Sequence, residues 1–165
     1  MVEKGVAMVE SDKLGKSGGG EDAQVGYSEA CKARVQGGTS FKGRQVVLDC
    51  GNGATYHIAP SVFTELGADV IAIGDKPNGL NINADCGSTH PHTLAAAVLQ
   101  NRADIGIAFD GDGDRVMMVD SKGQIIDGDG ILYIITRARL AAGSNGGGVV
   151  GTLMSNMGLE LAIKN

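Results

Sequence analysis

Residues 105–115 read Ile-Gly-Ile-Ala-Phe-Asp-Gly-Asp-Gly-Asp-Arg, an apolar run that changes abruptly into alternating aspartate and glycine. A short continuous apolar run that ends in aspartate and glycine is typical of a buried strand in a parallel sheet. In such sheets, ligands bind in the loops that follow the carboxyl ends of the strands. The stretch therefore predicts a buried strand at Ile105–Phe109 and a ligand-binding loop directly after it.

Segments of similar character flank this stretch and predict an α/β fold. The predicted strands are Val46–Leu48, Asp69–Ile73 and Ile105–Phe109, and the predicted helices are residues 57–67, Thr93–Gln100 and Gly130–Ala141. Strands that alternate with helices form βαβ units. Residues 116–119 and 124–126 flank the turn Asp-Ser-Lys-Gly and predict a β-hairpin. We expect a mixed βαβ sheet with helices on both faces.

Glycine-rich segments divide the chain into three parts. The parts are residues 1–42, 43–145 and 146–165. The first part predicts a loosely ordered lead-in with one weak helix over residues 21–35, because runs of glycine do not hold regular structure unaided. The second is the predicted α/β domain that carries the aspartate loop. The third predicts a strand at 149–152 and a helix from about Asn156, interpreted as the start of a further domain that is cut short.

Composition and charge argue against several classes of protein. The 165 residues carry 14 Lys and Arg against 19 Asp and Glu, a net charge of −5. We expect no nucleic-acid partner, because phosphate binding needs clustered basic residues. We expect no membrane contact, because no apolar stretch approaches the ~18–20 residues of a membrane span. Cys31, Cys50 and Cys86 form no Cys-x-x-Cys pair and are expected as reduced thiols in a cytoplasmic protein.

The aspartate loop has the composition of a magnesium site. Asp110, Asp112 and Asp114 alternate with Gly111 and Gly113, which let the backbone curl because glycine tolerates positive φ. Three neighbouring carboxylates repel one another, and a hard divalent cation removes that conflict. A set of oxygen ligands with no nearby His or Cys favours Mg²⁺ over Zn²⁺.

The basic residue that ends the loop fits the same chemistry. Arg115 lies beside the three acids and is suited to bind a phosphate oxygen that also reaches the metal.

Three other interpretations of the loop fit its residues less well. An EF-hand needs Gly at position six and Glu at position twelve, and counting from Asp110 these positions hold Arg115 and Ser121, which excludes it. A haloacid-dehalogenase-type phosphatase also has an aspartate pair after a buried strand, but it would have Thr or Val where Asp114 stands. A solvated Asp-Gly turn rarely has three acids in strict alternation behind an apolar strand.

Four segments together resemble the α-D-phosphohexomutases. The segments are Asp110–Arg115, Asp49–Tyr56, Pro77–Asn83 and Gly151–Leu159. The first is similar to the metal-binding loop of the family, and the other three are most similar to its phosphoglucosamine mutase branch. The resemblance covers about residues 43–163 and is loose before them.

The resemblance implies an activity and roles for the loop residues. Enzymes of this branch interconvert glucosamine 6-phosphate and glucosamine 1-phosphate on the route to UDP-N-acetylglucosamine, and a phosphoserine exchanges its phosphoryl group with the sugar. By resemblance, Asp110, Asp112 and Asp114 bind Mg²⁺, and Arg115 is a catalytic contact near the phosphoryl group. The implied partners are a phosphosugar substrate and the missing domains of the same enzyme.

The resemblance is partial in extent. No segment resembles the family's phosphoserine loop or its sugar-selecting loop. We therefore expect domain II and the start of domain III of a four-domain enzyme, with the metal site but without the nucleophile, and we expect no activity from this piece alone. Three alternatives stay open: a piece of a phosphoglucomutase or phosphomannomutase, a non-catalytic module that binds metal or phosphosugar, and a truncated reading frame that folds poorly.

Weaker candidates lie near the starts of predicted helices. Residues 51–55, Gly-Asn-Gly-Ala-Thr, either bind an anion or form a plain strand-to-helix turn, and the turn is preferred. His57 is expected to cap the helix that follows it rather than to bind a metal. His90 and His92 lack a third ligand and are expected in a surface loop and helix start.

Two pairs of polar residues are expected to cap helices. Ser88 and Thr89 precede the helix at Thr93–Gln100. Asp127 and Asp129 follow the hairpin and are expected to hold its turn or to cap the next helix.

Overall fold

The fold is a five-stranded mixed sheet with helices around it. A computed structural model describes residues 10, 13, 21–35, 39–143 and 148–164. The elements are α1 (Glu21–Lys32), β1 (Gln45–Asp49), α2 (Ile58–Glu65), β2 (Asp69–Ile73), α3 (Pro91–Asn101), β3 (Ile105–Phe109), β4 (Val116–Asp120), β5 (Ile125–Ile126), α4 (Gly128–Ala141) and α5 (Met157–Lys164). The strands are ordered β2-β1-β3-β4-β5. The predicted mixed α/β sheet is confirmed.

Strand direction brings three loops to one edge of the sheet. β1 lies between β2 and β3 and pairs in parallel with both, so that Leu48 is opposite Ala72 on one side and Ile107 on the other. β4 pairs in an antiparallel manner with both β3 and β5. The β4–β5 pair is the predicted hairpin. Because parallel strands end at the same edge, the residues that follow β1, β2 and β3 meet there.

Each face of the sheet is covered by a helix. On one face Val46, Leu48 and Ile107 pack in a cluster that includes Ala59 of α2. On the other face, Val47, Ala108 and Val119 pack against Leu94 and Val98 of α3. The central strands are therefore buried on both sides, which explains their continuous apolar sequence.

The outer helices pack on this layered unit. α1 lies against α2, while α4 contacts β4 and β5, and α5 contacts α4. The weak helix predicted over residues 21–35 is confirmed as α1, which ends at Lys32. No helix in the described part of the chain is long and apolar enough to cross a bilayer.

The strand predicted at 149–152 is wrong. Residues 148–152 form neither strand nor helix, and Val150 is 89% exposed. A strand is stable only when its N–H and C=O groups pair with a neighbour, and none of the described strands lies beside this segment. The helix predicted from about Asn156 forms as α5.

Candidate metal centre

The three aspartates of the loop after β3 converge in space. The carboxylates of Asp110, Asp112 and Asp114 offer one ligand atom each, and these atoms lie within 4.8 Å of one another. Asp110 is only 1% exposed, whereas Asp112 and Asp114 are open to solvent. The predicted convergence is therefore present, with one fixed carboxylate and two that can adjust.

The two glycines of the loop have different roles. Gly113 has φ +75°, the left-handed conformation expected of it. Gly111 is not among the residues with positive φ, so of the two glycines only Gly113 uses the left-handed conformation that glycine tolerates. What Gly111 provides is space, because a Cβ there would lie 2.4 Å from Cδ1 of Ile82.

Arg115 binds the buried aspartate rather than extending away from the loop. Its backbone N–H donates to Oδ1 of Asp110 (3.0 Å), and its Nε–H donates to Oδ2 (2.7 Å). Its Nε also lies 3.5 Å from Oδ1 of Asp114. Burial alone would raise the pKa of Asp110, but these hydrogen bonds outweigh it and lower that pKa to about 2. Asp110 is thus ionised at neutral pH.

Negative charge accumulates on the exposed side of the loop. The pKa of Asp114 is raised above its ordinary value, first by its hydrogen bond with Asp110 and then by repulsion from Asp112 and Asp110, with Arg115 acting in the opposite direction. Three carboxylates therefore share one guanidinium. A divalent cation would relieve the remaining repulsion.

The donor set fits a hard cation. Two oxygens on opposite sides of an octahedral Mg²⁺ are about 4.2 Å apart, since each Mg–O distance is about 2.1 Å. Oxygens in adjacent octahedral positions are about 3.0 Å apart. The three ligand atoms lie within 4.8 Å of one another, so the two exposed carboxylates must move inwards to reach these distances. Oxygen donors without His or Cys suit Mg²⁺, Mn²⁺ or Ca²⁺ better than Zn²⁺.

The turn at residues 51–55 serves the fold and is not an open anion cradle. The N–H of Asn52 donates to the carbonyl of Gly74 (2.6 Å), that of Gly53 to Cys50 (2.9 Å), and that of Ala54 to Gly111 (2.8 Å). These three N–H groups have backbone partners. The preferred interpretation, a strand-to-helix turn, is confirmed.

The histidine candidates do not join the aspartate cluster. The cap predicted from His57 is wrong, because its side chain makes no capping bond to α2 and instead stacks on Tyr56, with ring centroids 3.9 Å apart. His90 and His92 belong to no group of potential metal ligands among the described residues.

The capping expectations had mixed outcomes. The cap predicted from Ser88 and Thr89 is wrong, because the residue before α3 is His90, which makes no side-chain capping bond. Asp127 does cap α4, since its Oδ1 accepts from the N–H of Gly130 at 2.9 Å. The three cysteines are free, as expected.

A second buried carboxylate lies beside the loop and was missed. Asp49, the last residue of β1, is fully buried and accepts hydrogen bonds from the N–H groups of Gly51 (3.0 Å) and Gly87 (2.8 Å). The signal in the sequence was an acid at the end of an apolar strand, followed by glycines. Its long-range partner, Gly87, is 38 residues away and carries no local signal.

Comparison with known proteins identifies the family. Residues 26–123 match the family model described as phosphoglucomutase/phosphomannomutase, alpha/beta/alpha domain II. The chain belongs to this family. The match includes β1, β2, β3 and the whole aspartate loop, so the loop lies within the region that the family model matches.

Two curated relatives agree with that assignment. The chain is 58% identical over 163 residues to the phosphoglucosamine mutase of Pseudomonas fluorescens and 62% identical over 159 residues to that of Aeromonas salmonicida. These alignments cover 99% and 96% of this chain, but it spans only 37% and 36% of the two relatives' lengths.

A solved structure shows the same fold. A phosphoglucomutase/phosphomannomutase family protein from Burkholderia thailandensis superimposes with a TM-score of 0.61 at 29% identity, over 73% of this chain and 26% of that one.

Proposed function

We propose that this chain is the magnesium-binding portion of a phosphoglucosamine mutase, which interconverts glucosamine 6-phosphate and glucosamine 1-phosphate. The observation that carries the proposal is the convergence of Asp110, Asp112 and Asp114 at the end of β3, in a chain up to 62% identical to proteins of that name. Residues 43–145 would be domain II, and residues 146–165 would begin domain III. The rest of the mutase would supply the phosphoserine and the sugar-binding groups. We also propose a cytoplasmic location, in keeping with the three free thiols.

The residues of the loop would divide the work of phosphoryl transfer. A Mg²⁺ ion held there would neutralise charge that develops on the transferring phosphoryl group. Asp110 supplies a buried, ionised ligand whose position is fixed by Arg115. The guanidinium of Arg115 has further N–H donors beyond the one used by Asp110, and its side chain is 64% exposed. It can therefore bind a phosphate oxygen beside the cation.

Metal binding is tested by titrating the chain with Mg²⁺ in a calorimeter and with Mn²⁺ by electron paramagnetic resonance. Asp112→Asn removes an exposed ligand without disturbing the Asp110–Arg115 contact, so the fold should persist. We expect affinity to fall about tenfold or more, because even outer partners of metal ligands commonly contribute 10–100-fold.

A matched control removes the same charge elsewhere. Asp69 begins β2, at the opposite edge of the sheet, and its carboxylate accepts only a long hydrogen bond of 3.3 Å from Gln45 among the described contacts. Asp69→Asn should bind Mn²⁺ as the wild type does. An equal loss of Mn²⁺ affinity in both variants, or no loss of affinity in Asp112→Asn, would contradict the metal assignment.

The mutase activity is tested by exchange of segments. The portion of the Pseudomonas fluorescens enzyme that aligns with this chain, 163 residues at 58% identity, is replaced by this sequence. The chimera should convert glucosamine 1-phosphate in a coupled assay, and its Asp112→Asn variant should not. A folded chimera that does not convert glucosamine 1-phosphate would contradict the proposed activity.

A further inference from the structure

Asp49 is an unusual residue to bury. Its carboxylate is fully enclosed at the end of the central strand β1. Within the described part of the chain, no Lys or Arg forms an ion pair with it. Burying a charge without a counter-ion is costly unless hydrogen bonds compensate for lost water. Both of its oxygens are used, one by the Gly51 N–H and the other by the Gly87 N–H.

Three chain segments converge on this carboxylate. Gly51 follows β1, Gly74 follows β2, and Gly87 lies in the long connection before α3. Gly74 leaves room for the carboxylate, because a Cβ there would lie 2.5 Å from Oδ1 of Asp49. The side chain therefore joins loops that the sequence separates widely.

The two segments bound to Asp49 hold the backbone on both sides of Asp110. On one side, the segment of Gly87 reaches the end of β3, because the N–H of Ser88 donates to the carbonyl of Phe109 (2.9 Å). On the other side, the turn that begins at Gly51 reaches Gly111, because the N–H of Ala54 donates to its carbonyl (2.8 Å). Phe109 and Gly111 are the immediate neighbours of Asp110.

We infer that Asp49 is a positioning residue for the metal site: by holding Gly51 and Gly87 it fixes the backbone before and after Asp110, and so the geometry of the three carboxylates. This inference rests on the proposed metal binding. Asp49 itself touches no ligand atom of the cluster and acts only through the backbone. Its effect should therefore appear as a change in metal affinity and loop geometry, without loss of any ligand.

The direct test is Asp49→Asn in the 165-residue chain, with Mn²⁺ as the probe. The amide has the same shape, but its NH₂ group cannot accept from an N–H, so one of the two glycine contacts is lost. We expect Mn²⁺ affinity about tenfold weaker than in the wild type. The amide resonances of Gly111 and Gly113 should shift together with those of Gly51 and Gly87. A folded Asp49→Asn protein with Mn²⁺ affinity within twofold of the wild type would overturn the inference.

A second measurement needs no variant and covers the case in which Asp49→Asn does not fold. Coupling between two sites is reciprocal, so metal binding must tighten the contacts of Asp49 if those contacts favour metal binding. Saturation of the wild type with Mg²⁺ should slow hydrogen exchange at the Gly51 and Gly87 amides as well as at Gly113 and Arg115. Slower exchange in the aspartate loop alone would overturn the inference.

The outcomes separate this inference from the proposed function. If the wild type binds Mn²⁺ and Asp112→Asn does not, the metal site stands whatever Asp49→Asn does. If Asp112→Asn binds as the wild type does, the metal site itself is refuted. Asp69→Asn serves again as the control for lost charge.

Discussion

The contact between Gly53 and Gly111 makes a quantitative prediction about the loop. A Cβ at Gly53 would lie 2.2 Å from the carbonyl oxygen of Gly111 and 2.5 Å from its Cα. Carbon and oxygen atoms normally approach to about 3.3 Å, so Gly53→Ala must move the two loops apart by roughly 1 Å. That movement lengthens the Ala54–Gly111 hydrogen bond from 2.8 Å beyond the usual limit.

The cost follows from these two effects. The lost hydrogen bond contributes about 1 kcal/mol, and forcing a methyl group into a filled space costs about 1–3 kcal/mol. We expect Gly53→Ala to lower the free energy of unfolding by about 2–4 kcal/mol. For a protein of this size, that corresponds to a fall in Tm of roughly 4–16 °C.

The assay is urea denaturation followed by circular dichroism, with Gly26→Ala as the control. Gly26 lies in the middle of α1, and a Cβ there meets no atom within 4 Å. The control should be unchanged or gain up to about 1 kcal/mol, because alanine favours a helix. If the free energy of unfolding of Gly53→Ala lies within about 0.5 kcal/mol of the wild-type value, the close contact between the loops does not exist as described.

Two further predictions concern Arg115 and Asp127. Arg115→Gln should raise the pKa of Asp110 from about 2, because burial is no longer opposed by the guanidinium, and ¹³C resonances of the carboxyl group report this directly. In the wild type, the folded pKa lies below the ordinary 3.8, so the stability that Asp110 contributes is present above pH 3.8 and is lost as pH falls towards 2. Arg115→Gln should lose less stability than the wild type as pH falls from 3.8 towards 2. An unchanged pKa of Asp110 in this variant would refute the ion pair. Asp127→Ala should destabilise α4 by about 1 kcal/mol, because the N–H of Gly130 loses its capping partner, and faster hydrogen exchange in the first turn of α4 but not in α3 would confirm it.

The sequence carried enough local information to predict the sheet and the aspartate loop. The strands β1, β2 and β3 are apolar runs that end in polar residues or glycine, and in the central strands β1 and β3 this pattern follows from burial on both faces. The loop follows β3 directly, so its place at the carboxyl edge was determined by the direction of one strand. Alternating aspartates at that place were sufficient to predict that the carboxylates converge.

Features that depend on contacts between distant segments were not predictable in the same way. A Cβ at Gly111 would meet the end of the Ile82 side chain, and a Cβ at Gly53 would meet the backbone of Gly111, yet neither contact leaves a periodic pattern in the sequence. The error at residues 149–152 has the same origin. A β-branched, apolar run favours a strand, but the strand forms only where a neighbour offers a free edge.

The two buried aspartates show how neighbouring groups decide the role of an otherwise identical side chain. Asp49 is the last residue of β1, and Asp110 directly follows β3, the strand next to β1 in the sheet. Each of these aspartates is 1% exposed or less. Burial raises the pKa of Asp49, and the Gly51 and Gly87 N–H groups offset only part of that effect. At Asp110, hydrogen bonds from Arg115 reverse the effect of burial. A carboxylate whose pKa is lowered by a neighbouring guanidinium is suited to bind a cation, whereas one whose two oxygens are both occupied by backbone N–H groups is suited to hold backbone. The single arginine at position 115 therefore explains why Asp110, and not Asp49, is the candidate ligand.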